Sequence, residues 1–355
     1  MLRMAHVTAP DRRIPAARAT LTPTWQLVVL VAAAGFGLPA AAGCQSETLP
    51  ATFDGPVVLG GKRVAAENLR RGAAIFTQAC RACHGADGGG NGIAGLGLRP
   101  PPRDLRLGVY KFGAVASGQL PTDDDFRRII GKGLRGSAML PWDLPRPQLD
   151  DVIDYIKTFS DRWQTEEAGQ PLVFSPDPWV ADGARLREGI ERGKRVYHGL
   201  AQCAVACHPA YVTRAEIYDF TLALTKMRIT GFRPDLYSPV AKVSDYGYTI
   251  LPPDFTFNVS RSGDTVEDIY RVVASGVGGT AMPTWKNVLL DTDLWAIAHY
   301  VKSLTELRDT PQAAAVREAL ANQPAWVAPP PAPSPSPTPR PPPAFGGSGE
   351  TPRAQ

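Results

Sequence analysis

The 355-residue sequence predicts a mostly α-helical fold made of two tandem copies of one small domain, followed by a proline-rich tail. The first observation is a repeated motif, GSAM at 136–139 and GTAM at 279–282, separated by 143 residues. The second is that apolar residues downstream of each motif recur at spacings of three and four, as on one face of a helix. The third is a glycine one helical turn before an aromatic residue near the start of each copy, at Gly72 and Gly193. Such glycines would let the first and last helices of a copy cross closely.

The net charge gives no reason to expect nucleic acid as a partner. The formal charge is +4, but residues 1–43 contribute +3 of it through four arginines and one aspartate. The rest of the chain is therefore nearly neutral, which does not suit a nucleic-acid surface. The hydrophobic content of 44% is ordinary for a globular protein.

Residues 1–43 have the features of an export signal. Arginines precede an uncharged apolar run at 25–38, and small residues then lead to Cys44. The pattern resembles a bacterial lipoprotein signal, in which the cysteine becomes the acylated first residue. The run is shorter than the roughly 20 residues that span a bilayer, which favours cleavage. The alternatives are ordinary cleavage with an unmodified Cys44, or an uncleaved anchor; each places the folded part outside the cytoplasm.

The chemistry of the first copy is carried by Cys80-Arg-Ala-Cys83-His84. Two thiols and an adjacent imidazole at this spacing are typical of covalent haem attachment. Cys80 and Cys83 would form thioethers with the two vinyl groups of the haem, and His84 would bind the iron. Met139, in the glycine-rich loop, would supply a thioether as the second axial ligand.

The second copy departs from this pattern. Its cysteines, Cys203 and Cys207, are separated by three residues instead of two before His208. We expect a second covalent haem here, with His208 and Met282 as the axial ligands. The alternatives are attachment through Cys207 alone, or a haem-free copy that contains a disulfide.

Other residues compete for these roles. Met227, His198 and His299 are rival ligands in the second copy, although His299 matches the polar position of Asp154 and is expected on a solvated helix face. A disulfide framework is the ordinary alternative for an exported chain, and the four thiolates of the two pairs could bind zinc. Both alternatives leave the adjacent histidines and the two methionine loops unexplained.

The repeat and the composition of the C-terminal region together set the domain boundaries. Between 328 and 343 the chain is dominated by proline with alanine and serine, a composition that cannot build a core and is expected to be disordered. The predicted order is a lipoprotein-type signal at 1–43, a linker at 44–61, the first domain at 62–162, a linker at 163–183, the second domain at 184–306 with an insertion at 210–248, and the tail at 307–355.

Each copy resembles a class I c-type cytochrome domain: an N-terminal helix with glycine and aromatic, Cys-x-x-Cys-His, a loop, a Met-Pro segment and a C-terminal helix. The resemblance covers 62–162 and 184–306 and implies two covalently bound haem c groups with His/Met ligation. A narrower resemblance, to cytochrome subunits found with membrane respiratory complexes, is carried by PPRDL at 101–105, YKF at 110–112 and LPTD at 120–123, with an echo, PPDF, at 252–255.

Two smaller features concern the surroundings of the first haem. A backbone carbonyl of 100–102 is expected to accept a hydrogen bond from His84, unless these prolines only stiffen the loop. Five basic residues flank the first methionine loop and would either steer an acidic partner or simply be solvated. These residues are Lys111, Arg127, Arg128, Lys132 and Arg135.

The sequence therefore predicts a dihaem cytochrome that carries single electrons between a membrane-bound donor and an acceptor of a respiratory or photosynthetic chain, and that is not itself an enzyme. It would act in the periplasm or at the outer face of the cytoplasmic membrane, lipid-anchored through Cys44. One alternative is a dihaem peroxidase-type enzyme, which requires a displaceable ligand. The other is a cytochrome subunit that chiefly anchors a larger redox complex.

Overall fold

A computed structural model describes residues 53–330, which belong to one compact unit, Leu49–Gln355. The predicted signal, Cys44, the first half of the first linker and the predicted tail from 331 onward lie outside the described residues. Within the described part, the fold is mostly helical, as predicted. No helix in that part is both long and apolar enough to cross a membrane.

The first domain is a bundle of helices closed by a short hairpin. Its core lies between the first and last long helices, α1 and α4, and includes Leu69, Phe76 and Ile153. Its elements are β1 (Val57–Leu59), β2 (Lys62–Val64), α1 (Ala66–Ala79), α2 (Arg81–His84), α3 (Asp123–Lys132), α4 (Arg146–Lys157) and α5 (Arg162–Thr165), and β1 pairs antiparallel with β2.

The second domain repeats this arrangement with additions. Its first and last long helices, α6 and α10, pack together as α1 and α4 do. Its elements are α6 (Gly183–Arg195), a π-helical turn (Val196–Leu200), α7 (Cys203–Ala206), α8 (Arg214–Thr225), the antiparallel pair β3 (Lys242–Val243) and β4 (Thr249–Ile250), α9 (Val266–Ser275) and α10 (Asp291–Glu306).

The predicted close helix crossing is present in both domains. A Cβ on Gly72 of α1 would lie 2.1 Å from the backbone oxygen of Asp151 in α4. A Cβ on Gly193 of α6 would lie 1.9 Å from the backbone oxygen of Ala296 in α10. Both separations are far below van der Waals contact, so only glycine lets these helices approach so closely.

Tyr197 precedes Cys203 by six residues, whereas Phe76 precedes Cys80 by four, and the two extra residues are accommodated in a π-helical turn. In the first domain α1 runs directly into Cys80, whose amide continues the helical hydrogen bonding to Phe76 at 2.8 Å. In the second domain α6 widens into the π-helical turn, and Gln202 then adopts a left-handed conformation with φ 53° before Cys203. A π-turn accommodates extra residues within a continuing helix, so the longer sequence does not displace the helix itself.

The segment predicted as a tail begins with ordered structure. A further helix, α11 (Pro311–Ala321), starts at a Thr310 cap whose hydroxyl accepts from the amide of Ala313. This stretch is rich in alanine and has its proline at the first helical position, where proline is tolerated. After α11, Gln323 donates to the Tyr237 hydroxyl at 2.8 Å and so packs on the insertion.

Candidate functional site

The attachment residues of the first domain lie where α1 ends. Cys80 follows α1, and α2 places His84 one turn further on. The Nδ1 atom of His84 lies 3.2 Å from the carbonyl oxygen of Arg103. A carbonyl can only accept, so Nδ1 carries the proton and Nε2 keeps its lone pair for a metal. The acceptor is therefore Arg103, the residue directly after the 100–102 segment that was expected to supply the carbonyl.

The second domain reproduces this contact. The Nδ1 atom of His208 lies 3.2 Å from the carbonyl oxygen of Pro253, and Phe255 stacks on the imidazole with 5.2 Å between ring centroids. Arg103 and Pro253 both lie in the repeated proline-rich segments and are 150 residues apart. The two histidines are therefore oriented by equivalent carbonyls, despite the different cysteine spacing.

Both imidazoles are held in the neutral form. Burial lowers the pKa of His84, and burial lowers the pKa of His208 to about 4. A neutral imidazole with a free Nε2 is the form that binds iron. Their common environment supports equivalent roles for the two residues.

The two methionine loops match in detail. The carbonyl oxygen of Met139 accepts from the amide of Leu134 at 2.8 Å, and that of Met282 accepts from Val277 at 3.1 Å. The amide of each methionine donates at 3.2 Å to a hydroxyl two residues before it, on Ser137 or Thr280. Each loop is thus a closed turn that fixes the backbone of its methionine.

Glycine is required where each turn begins. Gly133 and Gly276 have φ of 65° and 78°, in the region that favours glycine. A Cβ on Gly133 would also lie 2.6 Å from the oxygen of Met139, and one on Gly276 would lie 2.7 Å from that of Met282. Any side chain here would displace the methionine backbone.

The donor set fits a covalently attached haem. The thiols of Cys80, Cys83, Cys203 and Cys207 are free. Burial raises the pKa of Cys80 to about 11 and that of Cys203 to about 12, so both are neutral thiols. These sulfurs stand beside a histidine with a free Nε2, which is the set that thioether attachment and proximal ligation need.

The disulfide and zinc alternatives are not formed in the described part of the chain. The four thiols of the two pairs make no disulfide. Among residues 53–330, no three histidine, cysteine, aspartate or glutamate side chains converge in a way that could hold a metal ion.

The rival ligands have other surroundings. Met227 is 59% exposed. His198 is fully buried in the π-helical turn, where Nδ1 donates to the carbonyl of Lys194 at 2.8 Å and Nε2 accepts from the amide of Tyr211 at 3.1 Å. Both nitrogens of His198 are therefore occupied.

The expectation that His299 lies on a solvated face is wrong. Its side chain is buried, and Nε2 lies 2.7 Å from Asp177 of the second linker. Asp154, its counterpart in the first copy, is also buried and pairs with Lys62 at 2.9 Å. The polar residue type suggested solvent, but a specific partner from another segment satisfies each side chain.

The basic residues around the first methionine loop are largely paired. Four of the five lie within ion-pair distance of a carboxylate, with Arg127 near Asp124 and Asp150 and Arg128 near Asp125. Lys111 is instead packed between the domains, where burial, together with Arg103 and Arg261, lowers its pKa to about 8. These five residues are therefore engaged within the protein, although the side chains of Lys132 and Arg135 remain 66% and 48% exposed.

One comparison with known proteins covers most of the first domain. Residues 67–156, from α1 into α4, match the family described as cytochrome c oxidase, cbb3-type, subunit III. These residues are therefore similar to a cytochrome c domain, a class that binds haem c covalently.

A chain of the Kuenenia stuttgartiensis reducing HAO-like protein complex has a similar structure. It is 29% identical in sequence, with a TM-score of 0.53, and the alignment covers 66% of the present chain and 95% of that chain. No curated protein matches the sequence.

Proposed function

We propose that the protein is a dihaem c-type cytochrome that carries single electrons. One observation carries this proposal: the complete set of cysteine pair, carbonyl-oriented histidine and hydrogen-bonded methionine loop occurs in both copies. The cytochrome c match of 67–156 supports the first copy directly. The equivalent histidine and methionine geometry of the second copy supports the proposal for that copy.

Each residue of the set has a distinct task. Cys80 with Cys83, and Cys203 with Cys207, would hold the haem edges through thioethers. His84 and His208 would present Nε2, with Nδ1 anchored to a carbonyl. Bound haem supplies a reversible one-electron change at iron, and His/Met ligation favours a relatively high potential. The two methionines, Met139 and Met282, would fill the remaining positions, so neither site would be open for a substrate.

Two closed sites favour electron transfer over catalysis. A dihaem peroxidase-type enzyme needs one iron with a displaceable ligand, whereas both copies carry a methionine fixed in a closed turn. We therefore propose that the protein is not itself an enzyme and that its partners are redox proteins.

A role as a subunit of a larger redox assembly has specific support. The family matched by the first domain is named as an oxidase subunit, and the similar Kuenenia chain is part of a protein complex. We propose a membrane-bound electron donor and an acceptor of a respiratory or photosynthetic chain as partners. Export to the periplasm or the outer membrane face, with lipidation at Cys44, completes this proposal and depends on the sequence of 1–44 alone.

Haem counting and three methionine variants test the function. Pyridine haemochrome analysis of the purified full chain is expected to give two covalent haems, and one haem would contradict the second site. Met139→Ala and Met282→Ala are each expected to remove the sulfur-to-iron absorption band of one haem. The matched control, Met227→Ala, is expected to leave both bands unchanged. A high-spin ferric spectrum with peroxide turnover in the unmodified protein would instead support the alternative of a dihaem peroxidase-type enzyme.

The partners need a separate experiment. Solubilised membranes of the source cells are expected to yield the cytochrome in complex with a redox enzyme, and redox titration of that complex would order the two haems relative to it. Isolation only as a free monomer would contradict the subunit proposal while leaving electron transfer intact.

A further inference from the structure

The two domains contact each other through a pair of equivalent backbone hydrogen bonds. The amide of Gly278 donates to the carbonyl of Lys111 at 3.1 Å, and the amide of Arg135 donates to the carbonyl of Arg261 at 3.1 Å. Arg135 and Gly278 are 143 residues apart, which is the offset between the two methionines. Lys111 and Arg261 are 150 residues apart, which is the offset between the two histidine-orienting carbonyls.

The interface is therefore self-complementary. Each domain contributes its methionine loop and the loop that follows its proline-rich segment. The methionine loop of each domain contacts the loop after the proline-rich segment of the other domain. This is the arrangement of an isologous dimer, produced here within one chain. A small cavity at this junction is lined from both sides, by Phe112, Arg128 and Lys132 and by Ser262, Arg271 and Val272.

The methionine loop of the second domain rests on the first domain. The hydroxyl of Thr284 accepts from the amide of Ser117 at 2.7 Å. A Cβ on Gly278 would lie 2.1 Å from the carbonyl oxygen of Tyr110, and the next two nearest atoms, on Tyr110 and Gly118, also belong to the first domain. Since Gly278 does not have a positive φ, only the neighbouring domain requires glycine at this position.

The methionine loop of the first domain rests on the second in the same way. Arg135 pairs with the carboxylate of Asp264, in addition to its backbone bond to Arg261. A Cβ on Gly136, in the same loop, would lie 3.6 Å from the Cβ atom of Val259. Lys132, just before the loop, lies 4.0 Å from Asp268.

We propose that each domain positions the axial methionine of the other. The 110–117 segment of the first domain would hold the Met282 loop, and the 259–264 segment of the second would hold the Met139 loop. The inference rests on the proposed His/Met ligation. A thioether is a weak ligand, so its loop must be restrained if the sulfur is to stay on the iron. Residues outside a domain's own haem pocket therefore determine how firmly its methionine is bound.

The experiment isolates one iron and perturbs only the opposite domain's contact. In the full haem-loaded chain, Met139→Ala leaves Met282 as the source of the sulfur-to-iron band. Adding Gly278→Ala is expected to let exogenous imidazole displace Met282 about tenfold more readily, because the added methyl group would clash with the Tyr110 carbonyl and push the loop away from its hydrogen bond to Lys111. The readout is the loss of the band during imidazole titration. The matched control is Gly231→Ala, where a Cβ meets nothing within 4 Å, and it is expected to change nothing.

A reciprocal variant covers the case in which Gly278→Ala fails to fold. In a Met282→Ala background, Asp264→Asn in the second domain removes the ion pair to Arg135 and is expected to raise imidazole affinity at the Met139 iron about twofold. Glu188→Gln, which breaks an exposed pair with Arg185 inside one helix, is the control.

The outcomes separate this inference from the proposed function. Unchanged imidazole affinity in both Gly278→Ala and Asp264→Asn, with normal bands, would overturn the cross-domain positioning alone. If Met139→Ala by itself showed no sulfur-to-iron band, Met282 would not be a ligand, and both the assignment and the positioning of its loop would be wrong.

Discussion

The Nδ1 atom of His208 lies 3.2 Å from the carbonyl oxygen of Pro253, the same separation that joins His84 to Arg103 in the first domain. Two attachment segments of different length thus deliver their histidines to equivalent carbonyls. The π-helical turn takes up the extra residues before Cys203. The extra residue between the cysteines is accommodated after it, because the amide of His208 still donates to the carbonyl of Cys203 at 2.9 Å, as that of His84 does to Cys80. The irregular cysteine spacing therefore does not by itself indicate a degenerate site.

This equivalence predicts that both thiols of the second pair form thioethers. Cys203→Ser is expected to retain two haems per chain but to shift the pyridine haemochrome band to longer wavelength, because one vinyl group stays conjugated. Cys80→Ser in the first domain is the matched comparison and should give the same shift. No shift in Cys203→Ser, with the shift present in Cys80→Ser, would mean that Cys207 alone attaches the second haem.

The helix crossing in the first domain predicts a large effect of one methyl group. Gly72→Ala is expected to lower the free energy of unfolding by about 2 kcal/mol or more, because its Cβ would lie 2.1 Å from the backbone oxygen of Asp151. A Cβ on Gly131, in α3, would have no atom within 4 Å, so Gly131→Ala is expected to raise the free energy of unfolding by about 0.5 kcal/mol. Urea denaturation measures both, and equal effects would contradict the crossing.

The charge cluster around Lys157 predicts a pH-dependent contribution. Lys157 is 3% exposed and hydrogen-bonds to Asp123. Burial favours the neutral acid, but the hydrogen bond and charge of Lys157 outweigh it and lower the pKa of Asp123 below its ordinary 3.8. This contribution is therefore present above pH 3.8 and disappears as pH falls through the lowered pKa.

Asp123→Asn is accordingly expected to lower the free energy of unfolding by about 2 kcal/mol at neutral pH. The difference from the unmodified protein should shrink as pH falls below 3.8. Asp124→Asn is the control, since its carboxylate is 84% exposed and its loss should cost less than about 1 kcal/mol. A difference that stays constant with pH would contradict the role of Asp123.

The chain after α11 is predicted to stabilise the insertion. The Trp326 ring lies 5.5 Å from that of Tyr218 in α8 and 5.3 Å from that of Phe232. Trp326→Ala is expected to lower local stability by about 2 kcal/mol, seen as faster hydrogen exchange of α8 amides. Val327→Ala, at a side chain 82% exposed, should leave exchange unchanged. Equal exchange in both variants would show that this segment does not hold the insertion.

Two expectations from the sequence differ from the structure for the same reason: a residue far away in the sequence makes a contact that the sequence pattern does not reveal. His299 matched a polar position and was expected in solvent, yet it pairs with Asp177, 122 residues away. The predicted tail contains α11 and an ordered stretch because Gln323 and Trp326 find contacts on the insertion. Composition predicts whether a segment can fold alone, but it does not predict the contacts that a distant segment provides.

The sequence by itself determined the first and last helices of each copy, the duplication, and the cysteine, histidine and methionine residues of both copies. These features depend on short-range spacing along the chain: helical periodicity and adjacent ligands. Only the tertiary structure decided which carbonyl orients each histidine, that the Gly278 amide meets Lys111, and that the Arg135 amide meets Arg261. A backbone carbonyl has no signature in the sequence, and such donors and acceptors become neighbours only when the packed helices bring distant loops together.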